Sequence, residues 1–456
     1  MLQASLEHIA RGLRDGTLSA AALMAEATAR HAATEDRLNA YKCWDGARAA
    51  RQAGAIDTLI ATGADLGPMM GLPVSVKDLY GVPGLPVFAG TDTEFPKEWR
   101  RAGPLVRRLL DQLCVVTGKT HTVEFAFGGL GTNPHWGAPV NPWSAPGAPR
   151  AAGGSSSGAG VSLAQGSALA ALGTDTAGSV RIPASFTGQT ALKTTHGRWS
   201  GDGIVPLSPS MDTPGLLART VADLAYLFAA VEGRARVAPR APGGLRIGIV
   251  TNLVWDDIDP VIAETTRAAI ARLERAGARL VEVELPHLDR VLDIFRRGGL
   301  GAPELRGFLE GHFPERIARL DPAVRVRVDQ ACEITAADYL QRRETLSESG
   351  RAAARAFEGI DLMVTPTVPI SAPLLADLDD PETYRHSNMM ALRNTAIVNL
   401  LGWCALTLPT GLDGNGIPTG LQIIAPPHEE ERLLAAGLGA EAVLGAAPEL
   451  LGPPPL

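Results

Sequence analysis

Lys77, the serines of the run Gly153–Gly158 (GGSSSG) and Ser179 in the run Gly173–Arg181 (GTDTAGSVR) are the residues whose types and spacing suit covalent catalysis. A serine hydroxyl is a weak nucleophile at its own pKa and needs a base. A lysine can be that base only if burial leaves its amine neutral. Lys77 ends the apolar run PVSVK; at an exposed strand end it would simply be solvated. Taken alone, the Gly/Ser run reads as a linker and the second run as a turn with Asx-type hydrogen bonds. Together they bracket the Ala-rich stretch Ala159 to Leu172, which a linker would not flank. Ser156 and Ser157 are placed to cap a helix there and to expose N–H groups at its start. The small residues of the second run let backbone N–H groups converge on one point, a nest for an oxyanion.

Rival motifs are weaker. Gly154 to Gly158 also reads G-x-S-x-G, which would make Ser156 the nucleophile of a strand–turn–helix elbow. That elbow needs an apolar strand before it, and Pro149-Arg150-Ala151-Ala152 is not one. Gly118-Lys119-Thr120 resembles the end of a phosphate loop, but Leu113 stands where its first glycine belongs, so Lys119 reads as structural or solvated. His121 and Glu124 have the i, i+3 spacing of one helix face, but no second pair of metal ligands accompanies them. His121, His135 and His196 therefore read as satisfied loop or core histidines. Cys43, Cys114, Cys332 and Cys404 are too scattered for a metal knuckle or a disulfide framework and read as free thiols of a reducing compartment.

The elements that must hold these residues are legible from periodicity. Leu6, Ile9, Ala10 and Leu13 predict a first helix ended by Gly16; Ser19 caps a second, running to about His31. Strands are expected at Gly71 to Val76 and Leu113 to Thr117, with a helix bearing Leu105, Leu109 and Leu110 between them. A central helix is expected within Ala159 to Leu172. After a linker at 234–242, Leu245 to Val250, Pro260 to Ala276 and Arg279 to Leu285 form a β-α-β unit. An Arg-rich helical section over 290–358 follows. Strands at Asp361 to Thr365, Leu406 to Pro409 and Leu421 to Ile424 come next, and a last helix spans about His428 to Val443. This alternation predicts an α/β sheet protein.

Composition narrows the function. The 456 residues are 45% hydrophobic and 20% charged, enough for a full core without staples. Forty-two basic against 49 acidic residues give a net charge of −7, unsuited to nucleic acid. No run of about 18 uninterrupted apolar residues occurs, so no membrane span is expected. The first residues carry acids and no apolar signal core, so a cytoplasmic protein is expected.

The motifs GLPVSVKD (71–78), GKTHTVEFAFG (118–128), NPHWGAPVNPW (133–143), GGSSSG and GTDTAGSVRIPASFTGQTALKTTHGR (173–198) occur in that order. VPLSPSMDTPGLLART (205–220), TPTVP (365–369) and LTLPTG with GIPTGLQIIAP (406–426) follow. In this order they resemble the amidase signature family over nearly the whole chain. The resemblance implies an α/β fold, a large mixed central sheet flanked by helices in one large domain. Within it, 1–70 would be N-terminal helices and 71–233 the catalytic core. About 243–358 would be a variable section, and 359–456 would return to the sheet. It implies a Ser–cis-Ser–Lys triad with Ser179 as nucleophile, Ser155 as the cis-serine and Lys77 as base. It further implies an oxyanion hole from the backbone N–H groups of Thr176, Ala177, Gly178 and Ser179. Asp175 and Arg181 are expected to order that loop. No cofactor and no metal are implied. Ala152 stands where the family usually has Pro, and Ala177 where it often has Gly.

The expected activity is that of a stand-alone amidase, open also to carbamates and esters, working as a monomer or homodimer on a small molecule. Phe125, Gly128, Gly129, Trp136 and Met211 are expected to line the substrate site. Phe88, Phe127, Trp199, Met389, Met390 and Leu392 are further wall candidates, with about half of the aromatics expected in the core instead. Such walls favour apolar or aryl substrates over charged ones. The alternatives are the amidase subunit of a tRNA-dependent amidotransferase, acting on glutamine within a complex, and a non-catalytic relative.

Overall fold

The computed structural model describes residues 1–456 and is built on one mixed sheet of eleven strands. The strands are β1 (Tyr41–Trp44), β2 (Pro73–Lys77), β3 (Val115–Thr120), β4 (Ala170–Asp175), β5 (Thr190–Lys193) and β6 (Thr213–Ala218). They continue with β7 (Arg246–Val250), β8 (Arg279–Val283), β9 (Leu362–Pro366), β10 (Cys404–Leu412) and β11 (Pro418–Ala425). Their order across the sheet is β1-β3-β2-β4-β6-β5-β10-β11-β9-β7-β8. β2 runs parallel to β3 and β4, and β7 runs parallel to β8 and β9; the other neighbours are antiparallel. The expected α/β class and mixed central sheet are therefore present. The predicted β-α-β unit (β7, helix Pro260–Arg275, β8) extends this same sheet at one edge.

Helices cover both faces of the sheet, and β2 and β4 are buried along their whole length. Strand alternation decides what faces where. Val74 and Val76 join the large core beneath the N-terminal helices and the helices Val221–Glu232 and Glu430–Leu444. Ser75 turns to the other face, where its hydroxyl meets Ser162 of the helix Ser157–Gln165 at 2.9 Å. Lys77, two residues on, shares the face of Ser75. The register Val76↔Leu172 sets the ends of β2 and β4 side by side, so the loop after β4 opens next to Lys77.

Three sequence expectations change. The stretch Ala159 to Leu172 is not one helix. The helix Ser157–Gln165 stops at Gly166 in a left-handed turn (φ 76°), and β4 begins at Ala170. Ser156 occupies the N-cap position without capping, because its Oγ is bonded to the backbone of Thr174 at 3.3 Å. The second helix runs on to Leu38, closed by left-handed Asn39; its last turns are polar outside and carry no apolar stripe to follow. The apolar stretch Glu430–Leu451 has a mean hydropathy of 1.3, long enough by composition to cross a membrane. Here it is two helices, half-buried, and the first packs on β10 and on the helix Val221–Glu232.

Candidate active site

Lys77 is sealed from solvent at the end of β2, and its Nζ donates to Ser155 Oγ at 2.7 Å and to Thr174 Oγ1 at 2.8 Å. No carboxylate pairs with it. Burial pushes its amine down to about 7, against the opposing pull of Asp212 and Asp175. An amine in this range is substantially neutral near pH 7, which a lysine base requires. The Gly154–Ser155 peptide bond is cis. Glycine at 158 is a steric necessity, since a Cβ there would lie 2.0 Å from the carbonyl oxygen of Ala40.

Ser179 is brought to this pair through its backbone: its carbonyl accepts from Ser156 N at 3.1 Å. Its hydroxyl makes no hydrogen bond within the protein, and the residue lines a cavity of 120 Å³. No hydrogen bond joins the Ser155 and Ser179 hydroxyls; the backbone bond from Ser156 N to Ser179 O is what sets the two residues near one another.

The loop between β4 and the helix Arg181–Thr187 is braced from within. Asp175 accepts from Gly178 N at 2.8 Å, from Val180 N at 3.2 Å and from two nitrogens of Arg181 at 3.0 and 2.8 Å. Burial alone would raise this carboxyl, but Arg181, Lys193 and Asn399 together hold it down to about 2. Arg181 is fully buried and also donates to Thr395 O, Gln422 and Asn399. Both residues have the ordering contacts expected of them.

One expected oxyanion donor is corrected here. The N–H of Gly178 is committed to Asp175 and is not free for a ligand. The N–H groups of Thr176, Ala177 and Ser179 make no protein hydrogen bond and are free to donate to a ligand. What Gly178 supplies is its backbone turn: φ is +134°, and a Cβ would meet Thr395 Oγ1 at 2.1 Å. Thr395 Oγ1 also donates to Ala177 O at 2.8 Å, and Thr176 Oγ1 to Asp212 at 2.5 Å, so both sides of the loop are pinned.

The residues expected to line a substrate site fall in different places. Gly128 and Met211 line the cavity of Ser179, as do Phe127, Met389 and Leu392. Phe125 does not; it is buried in a separate core cluster with Phe95, Val205 and Leu305. Trp136 packs edge-on to Phe88 and His121, and its indole nitrogen donates to Thr91 O at 3.0 Å. Gly129 lies behind the wall, its N–H bonded to Asn388 Oδ1 at 2.7 Å. Trp199 packs on Phe228 and donates to Glu232 at 2.6 Å. Aromatic type alone does not separate core from wall, because both bury flat apolar area. A larger groove of 610 Å³, with Trp99, Trp199 and Asp212 in its wall, reaches Thr174 but not Ser179. Among the cavity residues not singled out from the sequence are Phe295, Arg296, Arg297 and Arg327, which fall in the stretch 290–350 expected to set specificity, and Asn388, which does not. They come from the end of the helix Leu288–Arg296 with Arg297 just after it, and from the helices Pro322–Gln330 and Pro381–Leu400; the pair Arg296-Arg297 before Gly298-Gly299 was the available signal.

Lys119 is buried, not solvated, and pairs with Asp78 at 2.8 Å. His121 is satisfied at 2.7 Å from Gly137 O and kept neutral by burial, which pushes it down to about 3. Glu124 meets His135 at 2.9 Å rather than sharing a helix face with His121.

Against known proteins, the family model described as Amidase matches residues 22–434. A 2-amino-5-chloromuconic acid deaminase of Comamonas testosteroni is 59% identical over 454 residues, covering 99% of this chain and 98% of the relative. One subunit of the glutamyl-tRNA(Gln) amidotransferase of Acidothermus cellulolyticus is 32% identical, covering 91% of this chain and 89% of the relative. A crystal structure of an amidase superposes with a TM-score of 0.87 at 32% identity, covering 97% of this chain and all of that one.

Proposed function

The chain belongs to the amidase family and is an amidohydrolase, and on that footing we propose that Ser179 is its nucleophile, Ser155 its proton relay and Lys77 its base. The observation that carries this reading is the buried Lys77–Ser155 hydrogen bond of 2.7 Å beside an unpartnered Ser179 hydroxyl. As Ser179 Oγ bonds to the carbonyl carbon, its proton passes to Ser155 Oγ, whose own proton passes to Lys77 Nζ. The carbonyl oxygen becomes an oxyanion held by the free N–H groups of Thr176, Ala177 and Ser179. When the intermediate collapses, the C–N bond breaks and the leaving nitrogen takes the proton back along the same relay. Water then attacks the acyl-Ser179 ester, giving up its proton to the relay, and releases the acid and the serine hydroxyl.

The identity of 59% to a deaminase over 99% of the chain supports a stand-alone enzyme acting on a small acid, and the acyl steps above apply where the leaving nitrogen is carried on a carbonyl carbon. It outweighs the reading as part of an amidotransferase complex, which rests on 32%. Carbamates and esters present the same acyl carbon and remain within reach of the same relay. The four cysteines are all free thiols, which supports the cytoplasm as its place.

The test is a panel on the purified chain: a short primary amide, an aryl anilide, an aryl carbamate, an ester, glutamine and 2-amino-5-chloromuconic acid. Ser179→Ala and Lys77→Ala run beside it. Turnover of a non-glutamine substrate that both variants lose by about 10³-fold or more is the expected result. Turnover that survives Ser179→Ala would overturn the assignment.

A further inference from the structure

The cavity in front of Ser179 carries a charge pattern that the hydrolytic steps do not use. Its lining includes three arginines, Arg296, Arg297 and Arg327, and no acidic residue, in a chain of net charge −7. Arg297 is exposed and lies 3.6 Å from Asp293, one turn earlier. Arg327 is different. It projects from the helix Pro322–Gln330, with Nε donating to Ala323 O at 2.9 Å and one terminal nitrogen donating to Phe127 O at 2.6 Å. Its guanidinium lies 4.0 Å over the Phe127 ring, and Tyr384 supplies a hydroxyl beside it. It forms no ion pair. Burial pushes its pKa below the ordinary arginine value, against the weaker opposing pull of Tyr384 and of Asp321, which is not within ion-pair distance.

Asn388 adds a second donor to the same cavity. Its Oδ1 accepts from Gly129 N at 2.7 Å, while its amide nitrogen has no partner within the protein. Gly128 keeps this corner open: a Cβ there would lie 3.0 Å from Tyr384 Oη and 3.7 Å from Asn388 Oδ1. The remaining wall is mostly apolar, with Leu207, Met211 and Leu392 among its residues. A guanidinium held flat by two carbonyls keeps further N–H groups for a carboxylate, which would give it the direct ion pair it lacks within the protein.

We propose that Arg327, assisted by the Asn388 amide, binds a carboxylate group of the substrate remote from the C–N bond that Ser179 opens. The substrate class is then a small acid with an apolar or unsaturated body, not a neutral amide. The expected apolar preference holds for the body of the substrate and gives way to charge at its end. The inference deepens the reading of Ser179 as nucleophile and rests on it for the substrate's orientation; binding of the acid does not require catalysis.

The test separates the two. cis,cis-Muconate, an unsaturated dicarboxylate with no C–N bond to cleave, and its neutral dimethyl ester are titrated into the Ser179→Ala protein by calorimetry. Muconate is expected to bind at least about tenfold more tightly than the ester. Adding Arg327→Gln should remove most of that preference, Arg327→Lys should keep part of it, and Asn388→Ala should weaken it. With the active enzyme, the unsaturated half-amide and its methyl ester give the matching kinetic readout: Arg327→Gln should raise KM for the acid more than it lowers kcat. Equal affinity for muconate and its ester, absence of muconate binding, or a preference that survives Arg327→Gln would overturn the proposal. If Arg327→Gln does not fold, the muconate-to-ester ratio in Ser179→Ala and its change in Asn388→Ala decide the matter. A wrong assignment of Ser179 would show instead as turnover retained in Ser179→Ala.

Discussion

Lys77 Nζ and Ser155 Oγ are 2.7 Å apart, and neither residue has any exposed surface. Thr174 Oγ1, at 2.8 Å, is the second partner of the amine. A protonated Lys77 would therefore be a buried cation among hydroxyls, and burial brings its pKa to about 7. Only the neutral amine can accept the Ser155 proton. Activity should accordingly be low below that pKa, rise as pH increases through about 7 and level off above it. The measurement is kcat/KM against pH on a substrate that does not itself titrate there. A profile flat between pH 5 and 9 would remove Lys77 from the role of base.

Asp212 gives this profile an internal control. It accepts from Thr176 Oγ1 at 2.5 Å and from the N–H groups of Leu207 and Ser208 at 2.9 and 3.0 Å. Burial pushes its carboxyl up to about 6, and its negative charge raises the Lys77 pKa. Removing that charge by Asp212→Asn disfavours the protonated amine, so the Lys77 pKa falls. The acid limb of kcat/KM should then move to lower pH. An unmoved limb, with activity otherwise retained, would show that the two groups do not interact through charge.

The chemistry was more legible in the sequence than the cavity was. Lys77, Ser155 and Ser179 sit in short runs of small or apolar residues whose order is distinctive, and β2, β4 and the loop after β4 bring those runs together. The role of Gly178 was harder to see, because a glycine that donates its N–H and one that only turns the chain look alike in sequence. Asp175 decides between them by taking that N–H. Phe125 and Trp136 have the size of wall residues but pack away from the cavity, against partners from distant segments. Arg327 and Asn388 were invisible for the same reason. They are ordinary helical residues until the helices Pro322–Gln330 and Pro381–Leu400 carry them to one cavity.

Gly178 should tolerate no side chain. A Cβ there would sit 2.1 Å from Thr395 Oγ1 and 2.7 Å from Thr395 Cβ, at a φ of +134°. Gly178→Ala must therefore shift the loop that carries the free N–H groups of Thr176, Ala177 and Ser179. The expected cost is about 10²–10³-fold in kcat, the range for loss of an oxyanion donor. Stability should fall by about 1–3 kcal/mol from the strained backbone. Steady-state kinetics and a urea unfolding midpoint measure the two effects. Unchanged kcat in a folded variant would mean that this loop does not hold the oxyanion.

Ser155→Ala isolates the relay from the nucleophile. It removes one of the two hydroxyls that hold Lys77 and breaks the path from Ser179 to the amine, but leaves Ser179, the free N–H groups and the cavity in place. Acylation should slow by about 10²–10⁴-fold, the range for loss of a positioned acid–base group. Substrate affinity should change little, because Ser155 does not line the cavity. Ser179 should still be present for labelling by a fluorophosphonate, but at a rate reduced in step with acylation, since the same deprotonation drives both. Parallel single-turnover and labelling rates for the native protein, Ser155→Ala and Lys77→Ala make the comparison. If Ser155→Ala acylates at the native rate while Lys77→Ala does not, the proton reaches Lys77 by another route, and Thr174, the other hydroxyl on the amine, becomes the next residue to substitute.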